Sequence, residues 1–120
     1  MEEIKLGVVE SRFADIIWEH EPLASRKLVA LCQENLNWKK PTTYTVLRKL
    51  CERGIFQNVD GTVSSRISRR EFYAMQSEKF VEETFDGSLP AFLAAFTTRK
   101  TLSAKEAEEI RRMIDEASEG

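Results

Sequence analysis

The chain has 120 residues, 42% of them hydrophobic and 32% charged, with a formal net charge of −2. That length suits one soluble globular domain with a small appendage and a real core. No window approaches the roughly 20 apolar residues of a membrane span, and the start MEEIKLGVVE lacks an apolar export core, so the expectation is a cytoplasmic protein with no membrane insertion.

Cys32 and Cys51 are the only cysteines and His20 is the only histidine. Each cysteine lies in a helical pattern among apolar neighbours, as a buried small hydrophobe does. Neither a CxxC pair nor a zinc set can be assembled, so no metal and no cofactor is expected. There is also no Ser/His/Asp or Cys/His set and no glycine-rich phosphate loop. The paired carboxylates Glu82-Glu83 and Glu108-Glu109 are adjacent in helices and therefore diverge. The chain is not expected to be an enzyme.

In chain order, Val9, Phe13, Ile16 and Ile17 recur at helical spacing, which predicts a first helix from about Val8 to Glu19 with Gly7 as its N-cap and Glu21-Pro22 as its end. A second helix is expected from Ser25 to residues 35–37, with Leu28, Leu31, Cys32 and Leu36 on one stripe. A short turn leads to a third, over about residues 40–53, stopped by Gly54. Winding it at about 100° per residue places Thr43, Val46, Leu47 and Leu50 inward and Pro41, Thr45, Arg48, Lys49 and Glu52 outward. Residues Lys39 to Arg53 include five Lys/Arg and one acid, Glu52. Thr42 sits near the helix start, where unpaired N–H groups and the helix dipole favour an anion. Hydroxyls and long cations on one face suit a helix lying in a DNA major groove.

Residues 55–59 and 62–67 are β-compatible segments around Asp60-Gly61, a strong hairpin signal. Three helices and a hairpin make a winged helix-turn-helix, with Arg66 a candidate for backbone contact from the wing. The fold class expected is mainly α with a small β-hairpin wing: residues 1–67 form a winged-helix DNA-binding domain and residues 68–120 a C-terminal helical dimerisation region. The net charge conceals a difference between these parts, since residues 1–67 carry 10 Lys/Arg against 9 Asp/Glu and residues 68–120 carry 8 against 11. Expected DNA contacts are Lys39, Lys40, Pro41, Thr42, Thr45, Arg48, Lys49 and Arg66.

Ser68-Arg69-Arg70-Glu71 and Ser103-Ala104-Lys105-Glu106 are capping boxes, predicting helices from about Arg69 to Phe85 and from Ala104 to about Glu116; Ser88 opens another between them. These helices are too few to enclose their own apolar residues. Phe72, Phe80, Phe85, Leu89, Phe92, Leu93, Phe96, Ile110 and Ile114 are therefore expected at a homodimer interface, with folding back onto the N-terminal domain as the alternative. A modest basic patch on each subunit also calls for a dimer joining two half-sites. A winged-helix adaptor that binds protein without sequence-specific DNA binding is the competing function.

The segment Ile16-Ile17-Trp18, the block from Trp38 to Leu50 with Thr42 and Thr45, the exit Gly54-Ile55, Gly87-Ser88-Leu89, and the tail Leu102-Ser103, Glu106 and Glu109-Ile110 occur in an order and spacing that resembles the penicillinase-repressor family. That family includes methicillin-resistance and copper-transport repressors. The resemblance implies a homodimeric transcriptional repressor on double-stranded, inverted-repeat operator DNA, with contacts carried over to Pro41, Thr42 and Thr45. Lys39-Lys40-Pro41-Thr42 stands where members often have Ser-Pro-Lys-Thr. In antibiotic-responsive members repression ends by proteolysis at an Asn-Phe bond, so Ala95-Phe96 is the corresponding candidate cleavage site and a membrane sensor protease a candidate partner. Copper-responsive members carry a C-terminal cysteine cluster, which this chain lacks.

Overall fold

A computed structural model of the chain describes residues 6–119. Its elements are α1 (Val8–His20), β1 (Leu23–Ala24), α2 (Ser25–Leu36), α3 (Lys40–Glu52), β2 (Phe56–Val59), β3 (Thr62–Ser65), α4 (Arg69–Phe85), α5 (Leu89–Arg99) and α6 (Ala104–Glu119). They divide into two compact units, one running through Ser77 and the other from Glu78 onward, so the division falls inside α4. The class is the expected one, mainly helical with a small β wing.

In the first unit, Phe13, Ala14, Ile16 and Ile17 of α1 turn inward, as their spacing requires, and meet Leu28 and Cys32 of α2 and Leu47 and Leu50 of α3 in one core. Gly7 caps α1 as expected, with Glu10 Oε1 accepting its N–H at 3.2 Å. Trp38 stacks on Phe13 with ring centroids 5.4 Å apart, closing the turn between α2 and α3. Asn37 takes the left-handed conformation there (φ 56°), which asparagine tolerates better than most residues.

Gly54 stops α3 by a Schellman arrangement: its φ is +82°, its N–H donates to Cys51 O at 3.0 Å, and Ile55 N–H donates to Leu50 O at 3.1 Å. Ile55 and Phe56 then fall directly into the core, so the helix end sets where the wing begins. Asp60 and Gly61 both have positive φ, the type I′ geometry that matches strand twist.

The sheet has a strand the periodicity did not reveal. Leu23–Ala24 pairs antiparallel with β3, Leu23 opposite Val63 and Ala24 opposite Thr62, giving the order β1-β3-β2. Two residues after a proline carry no local strand signal; the register with β3 makes them one. The wing is also tied to the helices by Ser25 N–H, which donates to Gly61 O at 2.8 Å, and by Glu21. The Glu21 carboxylate accepts from Ser65 N–H at 2.7 Å and from the Ser65 hydroxyl at 2.9 Å.

The first turns of α4 belong to this unit. Phe72 is 2% exposed in its core, against Trp18, whose indole N–H donates to Ile67 O at 3.0 Å. Arg69 pairs with Asp15 at 2.7 Å and with Glu19 at 3.5 Å. In the second unit, Phe80, Phe85 and Phe92 make a cluster of edge-to-face contacts with centroids 5.6–6.1 Å apart. Ser88 caps α5 by accepting Ala91 N–H, and Ser103 and Glu106 cap α6 reciprocally, both bonds 3.1 Å.

Thr43 is fully buried in the inner face of α3, and among the described residues its hydroxyl has no oxygen or nitrogen partner. Burial pushes the Cys32 thiol's pKa up, and its weak interaction with this hydroxyl only partly offsets that. Thr43→Val, which keeps the shape and removes the poorly satisfied hydroxyl, is expected to stabilise the protein by about 1 kcal/mol in urea denaturation. Glu21→Ala is expected to destabilise it by about 1–2 kcal/mol, because Ser65 loses both acceptors; an unchanged midpoint would show that water replaces the carboxylate at no cost.

Candidate nucleic-acid interface

With Thr43, Leu47 and Leu50 held inside, α3 presents Lys40, Pro41, Thr42, Thr45, Arg48, Lys49 and Glu52 to solvent, and Lys39 is exposed just ahead of it. The helix starts at the N-cap Lys39, where no side chain among the described residues accepts from its first N–H groups; it has Pro41 in the first turn and carries no acid there. This differs from α4, α5 and α6, whose first N–H groups bond to Ser68, Ser88 and Ser103. The positive end of α3 thus faces solvent among cations, an arrangement that favours a bound anion.

Tyr44 aims α3. Its hydroxyl donates to Ser25 Oγ at 3.2 Å, holding the helix to the start of α2. Arg26 and Lys27 are exposed in that first turn of α2, where no acid balances them. They escaped the sequence reading; cations placed against the helix dipole were the available signal.

The expected cations are not equivalent. Lys49 Nζ lies 3.6 Å from Glu10 Oε2 of α1, so part of its charge is answered within the fold, whereas Arg48 has no ion pair among the described residues. Arg66 is exposed directly after β3, and its backbone N–H donates to Ile55 O at 2.8 Å, which fixes it at the base of the wing.

Between α3 and β2 lies a groove of about 340 Å³ lined by Tyr44, Leu47, Arg48, Cys51 and Asn58. Asn58 was not anticipated. Strand alternation puts it on the same face as buried Phe56, but the core ends before reaching it, so its amide stands exposed beside α3. The Cys51 thiol is half-buried there, and its pKa is raised by burial and then by Glu52.

In the second unit, Phe80, Leu89, Phe96 and Ile114 are exposed and Phe85, Phe92, Leu93 and Ile110 are half-buried; no residue of α5 is fully buried. Phe72 is the exception among the residues expected at a dimer interface, since the first unit's core leaves it almost no surface to offer. Ala95 and Phe96 are exposed within α5, where Phe96 O accepts Lys100 N–H at 3.2 Å. Among the described residues there is no cluster of three or more His, Cys, Asp or Glu side chains arranged to hold a metal, and no helix is long and apolar enough to cross a membrane.

The chain is 21% identical over 116 residues to the penicillinase repressor of Bacillus licheniformis, covering 93% of this chain and 91% of that protein. It is 21% identical over 115 residues to the methicillin resistance regulatory protein MecI of Staphylococcus aureus, covering 92% and 94%. Both relatives are named as regulators. The penicillinase repressor family model matches residues 6–116, and the chain belongs to that family.

Proposed function

We propose that this protein is a transcriptional repressor that binds an inverted-repeat operator as a homodimer, with α3 in the major groove of each half-site. The observation that carries this reading is the outward face of α3. Lys39, Lys40, Pro41, Thr42, Thr45 and Arg48 surround a helix start that no side chain among the described residues caps, and the inner face of the same helix is locked in the core. Lysines, the free helix end and Arg48 serve phosphates; Thr45, a turn beyond the helix start, is placed for base edges. Arg66 flanks the backbone from the base of the wing. Lys49 contributes less than its neighbours because Glu10 competes for it.

Dimerisation falls to residues 68–120, through the exposed side chains of the second unit. A unit of about 40 residues cannot bury its own apolar surface, and Phe80, Leu89, Phe96 and Ile114 stay about half exposed. Pairing them across a twofold axis removes that surface from water, at about 25 cal/mol per Å² before association entropy is subtracted. Relief of repression by cleavage at Ala95-Phe96 needs a protease that captures α5 opened locally, because the bond lies inside a hydrogen-bonded helix.

Selection of bound sequences from random duplexes with the full-length protein tests the reading. The expected result is an inverted repeat with half-sites about one helical turn apart and binding that weakens steeply with salt. Failure to enrich any sequence would favour a protein-binding adaptor. Thr45→Ala, at a base-edge position, and Arg48→Ala, at a phosphate position, are each expected to cost about 1–3 kcal/mol of operator affinity while the dimer persists. Ile114→Asp, at an exposed position, should leave a folded monomer with poor operator affinity; an unchanged mass in light scattering would move the dimer interface elsewhere.

A further inference from the structure

We infer that the groove between α3 and β2 seats one phosphate and its deoxyribose from the DNA backbone, held between the Arg48 guanidinium and the Asn58 amide. The inference rests on α3 facing DNA and assigns a partner to a strand residue outside that helix. Three features of the groove carry it. Its two polar walls both donate hydrogen bonds: Arg48 has no ion pair, and the Asn58 side chain has no hydrogen bond, among the described residues. Its floor is mostly apolar, with half-buried Tyr44 and Cys51 supplying the surface above the buried Leu47, where a deoxyribose can rest. Its volume, about 340 Å³, lies at the small end of the range for binding pockets and suits a single nucleotide unit more than an extended ligand.

Asn58 occupies a position where strand alternation calls for an apolar residue, on the face of β2 that carries Phe56. Its neighbour Gln57, on the opposite face, bonds Ser64 Oγ at 3.1 Å and is held within the wing. Only Asn58 of this pair is left to meet something outside the chain. A neutral amide opposite an arginine accepts and donates without neutralising it, so the cation stays available to phosphate; an aspartate there would pair with Arg48 and repel the backbone.

The groove contains its own reporter. Cys51 lines it, while the other thiol, Cys32, is fully buried. Alkylation of the full-length protein by N-ethylmaleimide at mildly alkaline pH, with the site read by mass spectrometry, is expected to label Cys51 and to slow about tenfold or more when short duplex DNA is bound at low salt. Asn58→Ala is expected to weaken duplex binding about fivefold with the salt slope unchanged, and Asn58→Asp to weaken it further. Arg48→Gln should reduce the slope of log affinity against log salt by about 0.9, the signature of one lost phosphate contact.

Duplex that binds in a mobility-shift assay while Cys51 reacts at its free rate, together with Asn58 variants of normal affinity, would overturn the groove assignment and leave α3 as the interface. Protection by free deoxynucleotide as strong as by duplex would overturn the backbone assignment. Absence of any duplex binding by the wild-type protein would remove both this inference and the reading beneath it.

Discussion

Burial of one face of α3 is the constraint on which the rest of the first unit depends. Once Thr43, Leu47 and Leu50 are packed against Phe13, Ile17 and Leu28, the 100° step of the helix leaves no choice about which residues face outward. The same packing sets the wing. The Schellman end at Gly54 delivers Ile55 and Phe56 into the core within two residues, and the strand that begins there runs beside α3. The helix face, the groove and the wing are thus three consequences of one set of apolar contacts.

Polar ties then limit how the parts can move. Tyr44 to Ser25 joins α3 to α2, Ser25 to Gly61 joins α2 to the turn of the wing, and Glu21 to Ser65 joins the end of α1 to β3. Each is a bond between groups distant in sequence, individually worth about 0.5–1.5 kcal/mol. For the proposed operator binding their value would be geometric, because contacts to base edges and to backbone must be made in one register. The aromatic group of Trp18, Phe56, Phe72 and Tyr73 extends this frame into the first turns of α4.

Local signals made much of the fold legible in the sequence. The helix stripes, the glycine after α3, the Asp60-Gly61 turn and the serine caps each act through neighbours a few residues away, and the helices lie within a few residues of where those signals put them. What was not legible depends on distant partners. β1 is a strand only because Val63 and Thr62 lie opposite it. Phe72 has the composition of the second region and the packing of the first, since Trp18 reaches it from α1. For the candidate site, sequence sorted the two faces of α3 correctly but counted every cation alike; Glu10, on another helix, separates Lys49 from Arg48. Asn58 had a readable alternation and an unreadable neighbour, because nothing local says that α3 passes beside it.

The helix starts differ along the chain in a way that fits the proposed function. α4, α5 and α6 begin with serine acceptors, and α4 and α6 add a glutamate in the first turn, each cap adding about 1 kcal/mol. α2 and α3 carry basic residues and no acid in their first turns and, among the described residues, have no such acceptor. Seen only as folding, those two starts are poorer choices than the sequence makes three times further on. Departures from a local rule that the same chain otherwise obeys concentrate where function overrides stability. On the proposed function, a helix end left positive and unanswered in the free protein would acquire its acceptor from a DNA phosphate, so that the missing cap would become binding energy instead of folding energy.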